Sequence, residues 1–91
     1  MPDRYVMLTK KDCDWCDKAK ALIAEKDPET PVMEFVIEQP SQLRDYMIAM
    51  GMTTVPQIWW VEEDYAPLVI GGYNELVQTY EDVEEVYETS D

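Results

Sequence analysis

The residues best suited to chemistry in this chain are its two cysteines, Cys13 and Cys16. Two thiols at this spacing can form a disulfide, exchange it with another molecule, or supply ligands to a metal. A structural zinc needs four ligands, and the chain has no histidine and no third cysteine, so zinc would require a second chain. A third alternative, that both cysteines are simply small buried apolar residues, is disfavoured because the same turn is acidic, with Asp12, Asp14 and Asp17.

The sequence around the pair predicts a strand before it and a helix after it. Tyr5–Leu8 is a compact apolar run, and the pattern becomes helical from Asp14 to Lys26. Residues three apart share a helix face, so the two sulfurs can meet. The unpaired N–H groups and dipole of the helix start favour the thiolate of Cys13, which makes it the predicted nucleophile. Cys16 is predicted to lie deeper and to resolve the mixed disulfide.

The first half of the chain continues with a helix, a loop and a second strand. The helix has an apolar stripe and ends at Asp27-Pro28, because the residue before proline avoids the α conformation. A second strand is predicted from Val32 to Ile37. Its expected buried residues are Val32, Phe35, Val36 and Ile37.

A second helix is predicted after Ser41, which suits its N-cap, and Gly51 suits its left-handed exit. Its expected core stripe is Leu43, Tyr46, Met47 and Met50. Two further strands, Ile58–Val61 and Pro67–Ile70, form a predicted hairpin. Gly71-Gly72 ends it, and a last helix follows with one apolar face, formed by Leu76, Tyr80, Val83 and Tyr87.

The order β-α-β-α-β-β-α in 91 residues predicts one α/β domain over residues 1–91, a four-stranded mixed sheet flanked by three helices. The net charge of −13 argues against binding to nucleic acid or to anionic membranes. No stretch has the ~20 apolar residues of a membrane span, and the first residues do not resemble a signal peptide. We therefore expect a cytoplasmic protein.

Three segments resemble the glutaredoxin family, in the family's order and over about residues 4 to 87. Thr9–Cys16, with the helix that follows it, is similar to the active-site loop of dithiol glutaredoxins. Thr53–Ile58 (T-T-V-P-Q-I) resembles the family's T-V-P-Q-I/V segment, and Gly71–Leu76 (G-G-Y-N-E-L) resembles its G-G-x-D-D-L segment. The resemblance implies a thioredoxin-like fold.

The resemblance also implies a glutathione site. Lys10 would contact the glycine carboxylate and Trp15 would form a wall of the groove, although a solvated loop lysine is the alternative for Lys10. The Val55–Pro56 bond is expected to be cis and to let the Val55 backbone pair with glutathione, the alternative being a trans proline that starts a strand. The complete set implied for the groove is Lys10, Trp15, Thr54, Val55, Pro56, Gly72, Tyr73, Asn74 and Glu75.

Three positions depart from the family pattern. Asp14 replaces a common proline beside the nucleophile, Met52 replaces a frequent basic residue, and Asn74 replaces an acidic one. Acidic neighbours oppose the thiolate, so we expect Cys13 to be less activated than in relatives with fewer acids there. Glutathione binding is expected to be weaker than the family implies.

The resemblance implies a monomeric thiol–disulfide oxidoreductase that uses Cys13 and Cys16 and is recharged by glutathione, without a metal. Its substrates would be glutathione mixed disulfides or disulfide-bonded client proteins, such as ribonucleotide reductase. Recharging by a thioredoxin reductase is one alternative. Another is a dimer that holds an iron–sulfur cluster with two glutathiones. An inactive scaffold is opposed by the two intact cysteines.

Overall fold

The computed structural model describes residues 3–37 and 41–89, with the side chains of the last helix described as far as Val83. The elements follow the predicted β-α-β-α-β-β-α order. They are β1 (Arg4–Thr9), α1 (Asp14–Lys26), β2 (Val32–Val36), α2 (Gln42–Ala49), β3 (Gln57–Val61), β4 (Leu68–Gly71) and α3 (Tyr73–Thr89).

The four strands form one mixed sheet in the order β2-β1-β3-β4, which confirms the predicted architecture. β1 pairs with β2 in parallel and with β3 in antiparallel fashion, and β3 and β4 form the antiparallel hairpin. Because β1 has a neighbour on each side, the loop after it emerges from the middle of the sheet. That loop carries Cys13.

The main core cluster joins β1 and β3 to α1 and α3. Its buried members are Tyr5, Met7, Ala19, Ile23, Ile58 and Leu76. Met7, Ala19, Ile58 and Leu76 have no exposed surface, and full burial of a large aliphatic side chain stabilises a fold by about 1.5–3 kcal/mol. This packing holds the C-terminal end of β1 and the first turns of α1 in fixed relation.

The strand β2 is more exposed than the sequence predicts. Phe35 and Val36, expected in the core, are 46% and 52% exposed, and Val32 and Ile37 are only half-buried. The prediction was wrong because β2 lies at an edge of the sheet. An apolar run alone does not distinguish an edge strand from a central one.

The predicted stripe of α2 is also largely outside the core. Met47 is 4% exposed, whereas Tyr46 and Met50 are each 58% exposed and Leu43 is half-buried. With eight residues, α2 is too short to bury a full stripe. Its predicted ends are correct, since Ser41 Oγ accepts a hydrogen bond from Arg44 N at 3.1 Å and Gly51 has φ +79°.

The last helix begins directly after Gly72, earlier than its apolar face suggests. Leu76 is fully buried and Tyr80 is half-buried, but Val83, predicted on the same face, is 49% exposed. The Tyr87 side chain lies outside the described side chains. Among the described side chains of this face, those of the first turns of α3 reach the core.

A polar network connects the end of β1 to β2 and α1. Thr9, 1% exposed, donates from Oγ1 to Glu34 Oε2 at 2.7 Å, and Lys20 Nζ donates to the same oxygen at 3.1 Å. Lys20 also lies 3.5 Å from the Asp17 carboxylate. The hydrogen bond from Thr9, followed by that from Lys20, lowers the pKa of Glu34.

We predict that Glu34→Gln destabilises the fold only where the carboxylate is ionised. The folded-state pKa of Glu34 is lowered, so its contribution is present above the unfolded value of about 4.3 and is lost as pH falls through the folded pKa. At pH ~7 the free energy of unfolding should fall by about 1 kcal/mol, because the pair is partly exposed and screened. Urea denaturation measures this.

In the same experiment at pH ~3 the variant and the wild type should converge. Glu29→Gln is the control, since Glu29 is exposed in the loop before β2. An equal loss of stability by Glu34→Gln at both pH values would contradict the electrostatic explanation.

Candidate active site

The two cysteines are joined as a disulfide at the start of α1, with their Cα atoms 5.2 Å apart. Cys13 is the N-cap of this helix, in an extended conformation with φ −109° and ψ 104°. Its sulfur accepts a hydrogen bond from Cys16 N at 3.1 Å. The sulfur thus occupies the place of a capping oxygen, where first-turn N–H groups favour a negative charge.

The two sulfurs differ in access. Cys13 is 7% exposed and lines an open cleft of about 580 Å³, while Cys16 is 1% exposed and does not line it. We call this space the disulfide cleft; its lining residues are Lys10, Lys11, Asp12, Cys13, Asp17, Lys20, Glu34, Val36 and Ile37. A thiol of another molecule therefore has access to Cys13 but not to Cys16.

The acidic residues around the disulfide are unequally compensated. Asp17 and Glu34 share Lys20 as an ion-pair partner. Asp12 and Asp14, on either side of Cys13, are exposed, and Asp12 adopts φ +58°, a left-handed conformation that aspartate tolerates better than most residues. Exposure screens the repulsion that these two carboxylates exert on a Cys13 thiolate.

A second cleft of about 270 Å³ lies between α1, the segment before β3 and the start of α3. We call it the aromatic cleft; it is lined by Trp15, Thr54, Val55, Pro56, Gln57, Gly71, Gly72, Tyr73, Asn74 and Glu75. All the predicted glutathione residues except Lys10 line this one space. The Val55–Pro56 peptide bond is cis, as predicted.

The aromatic cleft is walled by two rings. Trp15 is 53% exposed, and its ring centroid lies 5.5 Å from that of Tyr73, with the planes tilted by 48°. Lys18 Nζ lies 4.4 Å from the Trp15 ring centroid, within the range of a cation–π contact. The rings give the cleft an apolar wall, and Lys18 adds a positive charge above it.

Two glycines at the start of α3 line the aromatic cleft. A Cβ on Gly72 would lie 3.6 Å from the carbonyl oxygen of Pro56, and a Cβ on Gly71, where φ is +114°, would lie 3.0 Å from Glu75 Cγ. The distance at Gly72 is ordinary van der Waals contact, whereas at Gly71 both the positive φ and the contact with Glu75 favour glycine. The first α3 bond runs from Leu76 N to Gly72 O at 3.0 Å, so the N–H groups before Leu76 begin the helix without a partner one turn back.

Lys10 lies on the other side of the Thr54–Val55 segment. It lines the disulfide cleft and a third space of about 540 Å³, which we call the cationic cleft. That cleft is lined by Lys10, Ile37, Arg44, Met47, Ile48, Met52, Thr53, Thr54 and Val55. Thr54 and Val55 border both the aromatic and the cationic clefts, so the two spaces are neighbours along one backbone segment.

The sequence reasoning missed Arg44, which the structure places in the cationic cleft with Lys10. The available signal was weak. Arg44 is the one cation between Lys26 and the end of the chain, and it stands one turn into the helix capped by Ser41. Only the folded arrangement brings it beside the loop of Lys10.

Solved structures with the same arrangement of elements show the fold. Glutaredoxin 1 from Francisella tularensis, solved in complex with cacodylate, is 23% identical with a TM-score of 0.68, covering 92% of this chain and 99% of that one. Glutaredoxin from Brucella melitensis is 19% identical with a TM-score of 0.61, covering 87% and 79%. Oxidised thioredoxin O2 from Arabidopsis thaliana is 15% identical with a TM-score of 0.52, covering 88% and 73%. The predicted thioredoxin-like fold is confirmed.

The family follows from the sequence match. No curated protein matches this chain. The glutaredoxin family model matches residues 5–64, from β1 through β3 and including the cysteine pair and the cis-proline. With this match over more than half of its length, the chain belongs to the glutaredoxin family.

Proposed function

We propose that this thiol–disulfide oxidoreductase reduces disulfides through Cys13 and Cys16 and takes its electrons from glutathione. The family supports the oxidoreductase chemistry. The observation that carries the finer proposal is the position of the Cys13 sulfur, which caps α1 two residues before Trp15, while Trp15 and the Gly72–Glu75 segment line one cleft. The first turn of α1 thus links the proposed nucleophile to the proposed glutathione groove.

In the proposed reaction the Cys13 thiolate attacks one sulfur of a disulfide. A bond forms to that sulfur, the S–S bond breaks, and the other half leaves as a thiolate that takes a proton. For a protein disulfide, the Cys16 thiolate then attacks the Cys13 sulfur and releases the second client thiol. The client gains two electrons, and the Cys13–Cys16 pair loses them.

Glutathione is proposed to return those electrons. One glutathione thiolate attacks the Cys13 sulfur and releases Cys16; a second attacks the bound glutathione and leaves oxidised glutathione with the reduced enzyme. Trp15 and Tyr73 would flank the tripeptide, and the Val55 backbone, between Thr54 and Pro56, would pair with that of the tripeptide. The N–H groups of Tyr73, Asn74 and Glu75 would meet the γ-glutamyl carboxylate, and Lys10 the glycine carboxylate.

The client and the cellular setting belong to the same proposal. We propose a monomer in the cytoplasm that reduces disulfide-containing client proteins, with ribonucleotide reductase as one client. The reducing cytosol is where a catalytic cysteine pair, rather than a structural disulfide, is expected. In the described part of the chain, no helix is both long and apolar enough to cross a membrane.

A thioredoxin reductase is the second candidate for the electron source. The observation that favours it is the loss of two family charges, at Met52 and Asn74, in a chain of net charge −13. Both changes reduce attraction or hydrogen bonding toward anionic glutathione. The test compares the rates of NADPH oxidation in two assays that contain this protein and an insulin disulfide, one with thioredoxin reductase and one with glutathione and glutathione reductase. A faster rate with thioredoxin reductase would favour this source.

The first prediction from the proposed function separates the roles of the two cysteines. With NADPH, glutathione reductase and a glutathione mixed disulfide, Cys13→Ser should reduce turnover to the uncatalysed background, because no attacking thiolate remains. Cys16→Ser should retain turnover on that substrate, since glutathione itself can resolve the Cys13 mixed disulfide, but should lose reduction of a protein disulfide. Turnover that survives in Cys13→Ser and vanishes in Cys16→Ser would reverse the assignment.

The second prediction concerns the acidity of reduced Cys13. Iodoacetamide alkylation of the reduced Cys16→Ser variant should show a midpoint below about 8.5, the value of a free thiol, because the α1 N-terminus favours the thiolate. Asp14→Pro should lower the midpoint further by removing a neighbouring carboxylate. A midpoint at or above the free-thiol value in the Cys16→Ser variant would contradict this prediction.

The third prediction restores a charge at the cationic cleft. Met52→Arg should lower the KM for glutathione by roughly two- to fivefold, the effect of one partly exposed ion pair. Met33→Arg is the matched control, since Met33 is 41% exposed on β2 and lines none of the three clefts. An equal decrease in both variants would indicate an effect of net charge and not of the cleft.

A further inference from the structure

A further concave site lies in the β3–β4 hairpin. We call it the hairpin pocket; it has a volume of about 300 Å³ and is lined by Trp60, Glu62, Tyr65, Ala66 and Leu68. None of these residues lines the disulfide, aromatic or cationic cleft. In the register of the sheet, Trp60 pairs with Tyr5 near the start of β1, whereas Cys13 follows the end of that strand. Since β1 has six residues and a length of about 20 Å, the pocket lies at the opposite end of the sheet from the disulfide.

The walls of the hairpin pocket are held by contacts within the fold. The Trp60 ring meets the Tyr5 ring edge-on, with 5.0 Å between the ring centroids. Trp60 Nε1 donates a hydrogen bond to Glu62 Oε1 at 2.7 Å, which keeps the carboxylate beside the ring. The turn that leads to Tyr65 is closed by a hydrogen bond from Tyr65 N to Glu62 O at 3.4 Å. An indole, a phenol and a carboxylate therefore border one space before any ligand binds.

Two large side chains of the pocket are open to solvent. Tyr65 is 73% exposed and Leu68 is 62% exposed, although both line a concave surface. Leu68 is in register with Trp60, so their side chains lie on the same face of the hairpin. The apolar surface thus continues from the pocket onto its rim. A chain segment would cover more of this surface than a small molecule would.

The pocket has a negative side chain and no positive one. Glu62 supplies the carboxylate, and none of the lining residues is basic. The chain from Asp45 to Asp91 contains no lysine or arginine, so the hairpin brings no cation of its own. Arg4, on the adjoining strand, is in register with Val61, and the alternation of side chains along a strand places it on the opposite face from Trp60. A positive charge inside the pocket therefore has to come from another molecule.

Aromatic rings and a carboxylate around one space favour an arginine side chain. The face of an aromatic ring attracts a cation, and the planar guanidinium also stacks on the ring while it donates two N–H groups to a carboxylate. A guanidinium is more weakly hydrated than an ammonium group, so it loses less when an apolar wall replaces water. An apolar residue next to that arginine would cover the exposed side chain of Leu68.

We propose that the hairpin pocket binds an arginine side chain of a partner protein, with the guanidinium between Trp60, Tyr65 and Glu62 and an adjacent apolar residue on Leu68. Because the pocket lies at the far end of the sheet, a partner bound there leaves the disulfide cleft open. The pocket therefore attaches the protein to a basic segment without the use of Cys13, in the disulfide and the dithiol form alike. This inference does not depend on glutathione as the electron source.

A peptide titration followed by ¹H–¹⁵N NMR tests the assignment. The probe is Ac-Gly-Leu-Arg-Leu-Gly-NH₂. Its analogues replace Arg by Lys or by citrulline, an uncharged isostere, or replace both Leu residues by Ser, and butylguanidinium represents the small cation alone. An ionic strength of ~0.15 M screens the long-range attraction of a chain of net charge −13. Shifts should concentrate at the Trp60 indole N–H and at residues 62–68.

We expect the arginine peptide to bind about fivefold tighter than the citrulline peptide, about twofold tighter than the lysine peptide, and about threefold tighter than the serine analogue or butylguanidinium. Tyr65→Ser should weaken binding about threefold, whereas Tyr65→Phe, which keeps the ring, should preserve it. Glu62→Gln keeps an oxygen for the Trp60 N–H but removes the charge, so it should weaken binding about threefold. Glu29→Gln, the matched control in the exposed loop before β2, should preserve binding.

Several results would overturn this assignment. They are equal affinity for the arginine and citrulline peptides, shifts spread over the whole chain, and a loss of binding in Glu29→Gln as large as in Glu62→Gln. Butylguanidinium that binds as tightly as the arginine peptide would assign the pocket to a small cation and would overturn the protein partner.

The oxidoreductase function is measured separately on the same variants. Turnover of a glutathione mixed disulfide should be unchanged in Glu62→Gln and Tyr65→Ser, because neither residue lines the clefts beside the disulfide. Loss of turnover in both variants would contradict a site separate from the active site. Absence of turnover in the wild type, with peptide binding intact, would overturn the proposed function alone.

Discussion

The structure depends on one junction, where the central strand β1 ends and α1 begins. Met7 and Ile23 are almost completely buried on either side of it, so neither element can move without opening the core. Asp12 turns the chain through a left-handed conformation, and Cys13 then occupies the N-cap. The sulfur is therefore held where the N–H groups of a helix start converge, by packing that involves no active-site residue.

The same junction limits the effect of the many acids. A thiolate at Cys13 gains from the helix N-terminus and loses from nearby carboxylates. Lys20 offsets the charges of Asp17 and Glu34, which line the disulfide cleft. The hydrogen bond to Glu34 is the main cause that raises the pKa of Lys20. Asp12 and Asp14 remain, but water reaches both. The balance near the sulfur is thus less negative than the composition suggests.

The sequence predicts the parts of the fold that local chemistry decides. Ser41, Gly51 and Asp27-Pro28 end or begin helices through backbone hydrogen bonding and allowed dihedral angles, and these are properties of a few adjacent residues. The position of the cysteine pair at a helix start could be predicted for the same reason. The prediction that Cys13 is the nucleophile depended on the strand before the pair and the helix after it, and the apolar pattern indicated both.

What the sequence did not predict depends on which elements become neighbours. Phe35 looks like a core residue until β2 is known to be an edge strand, and Tyr46 looks like one until α2 is known to be short. The neighbourhood of Arg44 and Lys10 is of the same kind, because a helix and a loop separated along the chain meet at one cleft. Such pairings follow from the tertiary arrangement, which no local window contains.

The overall negative charge of the chain and the few cations near its clefts act on a substrate at different distances. A chain of net charge −13 repels an acidic substrate as a whole, but beyond the ~8 Å Debye length of physiological salt this repulsion is largely screened. Within that distance the substrate meets Lys10, Arg44 and Lys18, which border the clefts beside the disulfide. On the proposed function, an anionic substrate is therefore selected by contact with these cations and not by long-range steering. Differences in affinity among such substrates then arise mainly in the rate of dissociation rather than in the rate of encounter.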